Sequence, residues 1–397
     1  MRLKRTSIAA ICALVSATAA LAQEADESGS SAATAEQQTG IDWSVGLRGS
    51  YAANTLTGGK PSLSLTPEAS LTLGGESSTT VYGAGSELTV DGAGQARVAD
   101  LHAGVTSSLR LGPTTTLAGS INGKLTQADP SDSSLPVNTL VAPLVINGTA
   151  QGVARQNMGK VDAILTLDGA RNVTGPTTLD DLSTVDNGDK SYWEGGATLR
   201  LGYELTPLLS AFVEGEASVQ TFDAPDPTLL TYLDGRTYQL RTGLSFAQGS
   251  IISAEASIGR GWLDYIDGSL SDAQDWVYNG SVTVKPDETV SLTGALETTL
   301  KPSTDTPGDT DVGYLLSGAA SYNVNPWLTL RATSSWDRTV TLGTGDNSWG
   351  LDAGVGLDYR SSRHVVWSAD YSWSRDYAPP TPVNDTHTVS LGVRVQR

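Results

Sequence analysis

A strict two-residue alternation runs through residues 192–222 and constrains the fold more than any other feature of the sequence. Odd positions from Trp193 to Leu205 are apolar or glycine, and the even positions between them are polar, charged or glycine. After Thr206 and Pro207 the alternation resumes. Because successive side chains of a β-strand point to opposite faces, each run has one apolar and one charged face. Each run also reaches the roughly 9 to 11 residues of a membrane-crossing strand.

The same alternation recurs from Ile41 to the C-terminus and gives about 18 predicted strands, of which the least distinct lies at 149–157. Connections also alternate in length: short ones such as 206–207 and 324–326 separate long ones such as 171–190 and 223–235. Short turns on one rim and long loops on the other are typical of outer-membrane barrels. The pattern therefore predicts an all-β chain, a transmembrane antiparallel up-and-down β-barrel of about 16–18 strands.

Aromatic side chains of the apolar faces support this interpretation because they cluster near strand ends, as two interfacial girdles would. Near the long loops they are Trp193, Tyr238, Trp262, Trp276, Tyr314, Trp336, Trp349 and Tyr377. Near the short turns they are Tyr203, Phe246, Tyr322, Tyr359 and Trp367. The alternation assigns three arginines, Arg97, Arg260 and Arg375, to the outer face near loop ends, where snorkelling lowers their cost. A water-soluble β-sandwich or solenoid is the alternative, but it favours aromatics in mid-strand.

The N-terminus predicts export. Three basic residues, an apolar run and an Ala-Leu-Ala site before Gln23 indicate a secretory signal peptide over residues 1–22, too short for a spanning helix. The polar, low-complexity residues 23–40 are interpreted as a disordered periplasmic lead-in, and 41–397 as the barrel. Cleavage at Gln23 removes Cys12, the one cysteine. The net charge of -18 argues against a nucleic-acid partner.

With these features the chain resembles Gram-negative outer-membrane β-barrel proteins, and most of all the β-barrel porin families. The resemblance covers roughly residues 41–397 and includes the C-terminal assembly signal of such barrels, which Ser390, Gly392 and Val395 match. Arg397 departs from that signal, where an aromatic residue is usual. The resemblance implies location in the cell outer membrane, contact with its lipid and lipopolysaccharide, and insertion by the barrel-assembly machinery. A monomer and a homotrimer are both compatible with an apolar outer face.

If the apolar face meets lipid, the polar face lines the lumen. The candidate lumen-lining residues are Arg110, Lys124, Glu194, Arg200, Glu204, Glu214, Glu216, Arg241, Glu255, Glu297, Arg331, Asp352, Asp358 and Asp370. A barrel of 16 to 18 strands leaves a water-filled channel, and charges on its wall bias which ions pass. Carboxylates predominate, so the sequence predicts a porin-like channel for passive diffusion of small hydrophilic solutes with a mild cation preference. Pairing of opposite charges across strands is the alternative role for each residue.

Two long loops, 127–148 and 171–190, are the candidates for narrowing the pore. If they fill the lumen, or meet partners outside the cell, the chain is instead a non-conducting structural or adhesin-like barrel. No catalytic, cofactor or metal site is expected. The three histidines, His102, His364 and His387, have no marked nucleophile beside them.

Overall fold

We describe the fold from a computed structural model of the chain. The structure describes residues 39–55, 58–75, 77–92, 94–130, 135–136, 138–303, 308–378 and 383–397. The predicted signal peptide and nearly all of the predicted lead-in lie outside the described residues. Within them, no helix combines the length and the apolar character needed to cross a membrane.

The described chain forms 21 strands and a single 3₁₀ turn at Gly188–Lys190. The strands are β1 Thr39–Asn54, β2 Gly58–Gly74, β3 Ser78–Asp91, β4 Ala96–Arg110, β5 Thr115–Gln127, β6 Thr139–Val141, β7 Leu144–Met158, β8 Val161–Thr174, β9 Thr177–Leu179, β10 Thr184–Val185, β11 Tyr192–Thr206, β12 Leu209–Phe222, β13 Gly235–Gln248, β14 Ile252–Tyr265, β15 Ala273–Val284, β16 Val290–Pro302, β17 Thr310–Asn325, β18 Leu328–Leu342, β19 Asn347–Ser362, β20 Val365–Tyr377 and β21 Asn384–Gln396.

Eighteen of these strands form one closed barrel. Each pairs antiparallel with the next long strand in sequence, and β21 pairs antiparallel with β1 from Ser44–Gln396 to Asn54–Thr386. The first and last strands are therefore joined to each other, and neither is left as a sheet edge in lipid. The predicted up-and-down barrel is confirmed, and β7 confirms the least distinct predicted strand.

The rims differ in their connections. The short-turn rim carries the first residues of β1 and the last residues of β21, together with connections such as 207–208 and 249–251. The long-loop rim carries 128–143, 175–191 and 223–234, although it has short connections near the N-terminus. Two of its loops pair with each other, since β6, β9 and β10 form a separate three-stranded sheet. These are the loops that the sequence offered as constrictions, and a role in narrowing the pore stays a prediction.

The β11–β12 hairpin shows how alternation positions the lumen. Leu199 faces outward and is 49% exposed, whereas its neighbour Arg200 faces inward opposite Glu214. The other outward side chains follow the same rule, with Trp193 59%, Tyr203 49% and Trp367 52% exposed near the strand ends. Large apolar groups left exposed in a band around the barrel are what lipid covers.

One predicted orientation is wrong. The β3–β4 ladder shifts register between Glu87 and Leu88, and beyond this bulge Arg97 stands directly opposite Thr89. Thr89 is buried, while its neighbour Leu88 is exposed on the outer face. Arg97 therefore faces the lumen, because the extra residue reverses the alternation behind it. Its guanidinium donates to the Gln127 carbonyl at 2.8 Å.

Candidate functional site: the barrel lumen

An ion-pair cluster covers the lumen side of β11–β14, and we call it the Arg241 cluster. Arg241 contacts Glu214 through a short hydrogen bond and lies 3.6 Å from Glu216. Arg200 binds both carboxylate oxygens of Glu255 at 2.7 Å and lies 3.9 Å from Glu214. The side chains of Arg241 and Glu214 are only 10% and 14% exposed. The cluster is therefore screened far less than a surface ion pair.

Phe212 is the platform beneath this cluster. It points into the lumen, is buried, and lies between Gly202 and Gly243 on the flanking strands. A Cβ at Gly243 would stand 2.5 Å from the Phe212 ring, so glycine there leaves room for the ring. The Arg200 guanidinium stacks on the ring at 3.6 Å from its centroid. This cation–π contact fixes the orientation of the arginine that holds Glu255.

A second cluster, the Arg331 cluster, lies on the far side of the barrel, on β18–β20 and β1. Arg331 binds Asp358 and Asp370, each at 2.8 Å, and Arg48 reaches Asp370 at 3.2 Å. Asp370 is two strands from Arg331 and is reached over Gly356, where a Cβ would stand 2.3 Å from Asp370 Oδ1. The side chain of Arg331 is 40% exposed, so water in the lumen screens this cluster more strongly.

The remaining candidates lie on other strands of the wall. Lys124 pairs with Asp100 at 2.8 Å, and Asp100 also contacts His102 at 2.5 Å. Asp352 accepts a hydrogen bond from Ser335 at 3.1 Å. Arg110 and Glu204 stand near the short-turn rim, and Glu297 lies on β16. All fourteen candidate residues thus lie in barrel strands, where the alternation predicts that they face the lumen.

Three carboxylates lie near one another on the wall of β8, β11 and β12, and we call them the acidic patch. Asp168 of β8 lies over Gly196 of β11, where a Cβ would stand 2.7 Å from Asp168 Oδ2. Glu194 lies two residues before Gly196 on β11, and Glu216 of β12 stands opposite Thr198, two residues after it. Among the described residues, however, no group of three or more acidic, histidine or cysteine side chains could hold a metal ion.

Sequence reasoning missed Arg155 on β7. It stands opposite Thr116 on one side and Ile164 on the other, and Ile164 stands opposite Arg200. Arg155 therefore belongs to the same transverse row of the wall as the Arg241 cluster. The two-residue alternation is weak around Arg155, because the neighbouring outward positions are largely alanine and glycine.

A cavity of about 500 Å³ lies beside the Arg331 cluster. Its wall crosses β18–β21 and β1–β4 and is rich in hydroxyl groups. They belong to Ser50, Ser62, Ser64, Thr89, Thr333, Ser372, Thr388 and Ser390. These hydroxyl groups can exchange hydrogen bonds with water or with a polar solute. They stand among the charged side chains of Arg48, Arg97, Arg331, Glu87 and Asp370, which also line the cavity.

Comparison with known proteins identifies the sequence relationship. The family model described as Putative beta-barrel porin 2 matches residues 69–397. No curated protein matches the sequence.

Three solved structures illustrate its similarity to known barrels. OccK5 (OpdH) of Pseudomonas aeruginosa is 12% identical, with 90% of this chain and 98% of that chain covered and a TM-score of 0.42. OccAB4 of Acinetobacter baumannii is 11% identical, with 91% and 99% covered and a TM-score of 0.42. A mutant of the ferric enterobactin receptor PfeA of P. aeruginosa is 9% identical, with 92% and 81% covered and a TM-score of 0.49.

Proposed function

The chain belongs to the Putative beta-barrel porin 2 family, and from this premise we propose that it is a channel for passive diffusion of small hydrophilic solutes with a mild preference for cations. Family membership already makes it an outer-membrane, porin-like barrel and points to a non-enzymatic role. A barrel of 18 strands is wide enough for an aqueous lumen. The charged and hydroxyl-bearing inner wall supports solvation of that lumen.

The acidic patch carries the proposed cation preference. In the Arg241 and Arg331 clusters most carboxylates have an arginine partner, so these clusters offer little net charge. Asp168 and Glu194, by contrast, place two further carboxylates near Glu216 on the β8–β12 wall. Carboxylates on a pore wall raise the local concentration of cations and bias the current toward them.

Planar-bilayer recording tests both parts of the proposal. We expect stable conductance steps that grow with salt concentration, and a reversal potential in a KCl gradient that indicates cation preference. Replacing the acidic patch, Asp168→Asn with Glu194→Gln and Glu216→Gln, is expected to move the K⁺/Cl⁻ permeability ratio toward one. The matched control is Asp358→Asn, which removes a lumen carboxylate paired with Arg331. Anion selectivity of the native protein would contradict the cation preference.

A non-conducting structural or adhesin-like barrel is the second candidate function. An apolar cluster of Leu263, Tyr265, Leu300 and Val312 favours it, since these side chains are buried close to the long-loop rim instead of lining a wet channel. Insertion into the bilayer without any conductance step would support this function.

The proposal also covers export and assembly. Residues 1–22 are proposed to be a cleaved signal peptide, so the mature protein begins at Gln23 and holds no cysteine. Insertion by the barrel-assembly machinery, contact with lipopolysaccharide and trimer formation are proposed with it. Mass spectrometry of the membrane-extracted protein tests the cleavage site, and its native oligomeric mass tests the trimer.

A further inference from the structure

The barrel wall is interrupted between β15 and β16. Their ladder extends only from Gly280–Leu296 to Val284–Leu292, whereas β14 and β15 pair from Ile252–Val284 to Leu263–Ala273. Beyond the Gly280–Leu296 pair, toward the long-loop rim, hydrogen bonds from side chains take the place of the backbone ladder. Thr298 Oγ1 donates to the Tyr278 carbonyl at 2.8 Å and accepts from the Tyr278 N–H at 3.1 Å. The long-loop half of β16 has therefore left its place beside β15.

The direction of this departure is inward. By alternation Leu300 and Val312 belong to the outer face. Each stands an even number of residues from an exposed leucine of its own strand, Leu292 on β16 and Leu316 on β17. In the structure both are buried, 5% and 1% exposed, against Leu263. Leu263 alternates with the outward residues of β14 and so belongs to its lumen face. The side of β16 and β17 that alternation assigns to lipid therefore packs against the lumen-facing side of β14.

Close contacts show how far this segment reaches. Leu300 Cδ2 stands 3.3 Å from where a Cβ of Gly261 on β14 would be. Pro302 Cγ stands 3.5 Å from the corresponding point at Gly235 on β13, three strands away. Val277, on the lumen side of β15, is 0% exposed beneath it. We call Thr298–Pro302 and Thr310–Tyr314 the tucked wall, because they lie inside the barrel behind their neighbours.

Charged and polar groups hold the tucked wall in place. The Lys301 ammonium attracts the carboxylate of Glu194 on β11, five strands away around the barrel. Tyr265 donates a hydrogen bond from its hydroxyl to the Asp309 carbonyl at 2.5 Å. Asp311 accepts one from Thr341 at 2.7 Å, which ties β17 to β18. The tucked wall therefore extends from β16 over the lumen side of β14 and β13, in the direction of β11.

We propose that the tucked wall is a gate of the channel, which opens when β16 and β17 swing outward and complete the ladder with β15. This inference rests on the proposed channel function. The extended register would place Asp275 opposite Lys301, a favourable cross-strand charge pair. It would also return Leu300 beside Trp276 on the lipid face. Opening exchanges apolar contacts inside the barrel for backbone hydrogen bonds and lipid contacts. The same residues therefore make favourable contacts in both the closed and the open position.

A pair of glycines supplies the hinge. Gly294 and Gly318 stand directly opposite each other in the β16–β17 ladder, just below the point where the β15–β16 ladder ends. Glycine in a strand interior permits a tight bend that other residues resist. The two strands can therefore bend together at one level while their own ladder stays intact.

The first test separates the closed from the open position. Leu263→Asn places a polar amide in the buried cluster when the gate is closed, but in the aqueous lumen when it is open. We expect the ratio of open to closed time in single-channel records to rise roughly tenfold or more, since a buried unpaired amide strongly disfavours the closed position. The control Ile164→Asn also changes a lumen-facing apolar residue, on β8, and is expected to leave that ratio unchanged.

The second test traps the open position. A double variant, Asp275→Cys with Lys301→Cys, is expected to form a disulfide on oxidation, detected by mass, and to remain open until it is reduced. Folding of every variant is checked by its heat-dependent shift on a denaturing gel. If the native protein conducts but Leu263→Asn behaves as native and no disulfide forms, the gate is overturned and the channel stands. If the native protein is silent and the double variant is silent as well after its disulfide has formed, the channel proposal itself is overturned.

Discussion

Replacing Arg241 with methionine removes the cation that contacts Glu214 and Glu216 while keeping a long side chain against the wall. Because Arg241 and Glu214 are only 10% and 14% exposed, the change leaves carboxylates in a poorly solvated place. Breaking a buried pair in this way costs about 3 to 5 kcal/mol. Arg200, 3.9 Å from Glu214, keeps part of the attraction, so we expect about 3 kcal/mol, roughly a hundredfold in the folding equilibrium.

Two further variants test whether this loss in the free energy of unfolding comes from the buried charges. The double variant Arg241→Met with Glu214→Leu removes both charges and is expected to recover most of the loss, because replacing a buried pair by apolar groups is close to neutral. Arg331→Met removes an arginine that is 40% exposed, and it is expected to cost about 0 to 1 kcal/mol.

The assay is reversible urea unfolding of the protein in lipid vesicles, followed by tryptophan fluorescence. Free energies of unfolding are compared among the native protein, both single variants and the double variant. Equal losses for Arg241→Met and Arg331→Met would refute the reasoning, since they would show that lumen water screens both clusters alike. Failure of the double variant to recover stability would show that packing, and not charge, explains the loss.

Three further predictions concern other parts of the wall. Leu199→Arg puts a charge on the lipid face at mid-strand and is expected to cost roughly 2 to 4 kcal/mol in the same assay, whereas Thr198→Arg, one residue away on the lumen side, costs little. Gly356→Val places a side chain where Asp370 lies and is expected to cost about 1 to 3 kcal/mol; a loss below that range would contradict the close approach. The Thr289 hydroxyl and the backbone N–H groups of Thr289 and Val290 hold the pKa of Asp287 below its ordinary value. Its stabilisation is therefore complete above about pH 4 and is lost as the pH falls through the lowered pKa. The difference in unfolding midpoint between the native protein and Asp287→Ala is therefore expected to shrink on acidification, and a constant difference would contradict the bond pattern.

The architecture was predictable because strong period-two signals extend over most of the chain. Where the outward residues are leucine, valine or tryptophan, as at Leu199 and Trp193, the predicted strand and face agree with the structure. The signal faded at β7, whose outward side is largely alanine and glycine. Alanine and glycine are compatible with a lipid-facing position, but their hydrophobicity differs little from that of polar neighbours, so the alternation is hard to see.

Two details could not be read from alternation alone. The bulge at β4 adds one residue between two regular runs, so each run looks correct while Arg97 changes face. The tucked wall keeps the predicted register, and Leu300 and Val312 belong to the apolar face as the pattern indicates. The same apolar side chains satisfy either lipid or the inner face of β14. Only the contacts, and not the residue types, distinguish these two surroundings.

The pairing of β1 with β21 has a consequence for biogenesis. It joins Ser44 to Gln396, so the sheet can close only after nearly the whole chain has been made and exported. Contacts between residues so distant in sequence form slowly, because a long chain segment must be ordered first. Until then both terminal strands present unpaired edges, which are templates for aggregation. The thirteen residues of β21, Asn384–Gln396, are therefore the segment whose arrival ends this exposure, because their pairing with β1 covers both edges in one step.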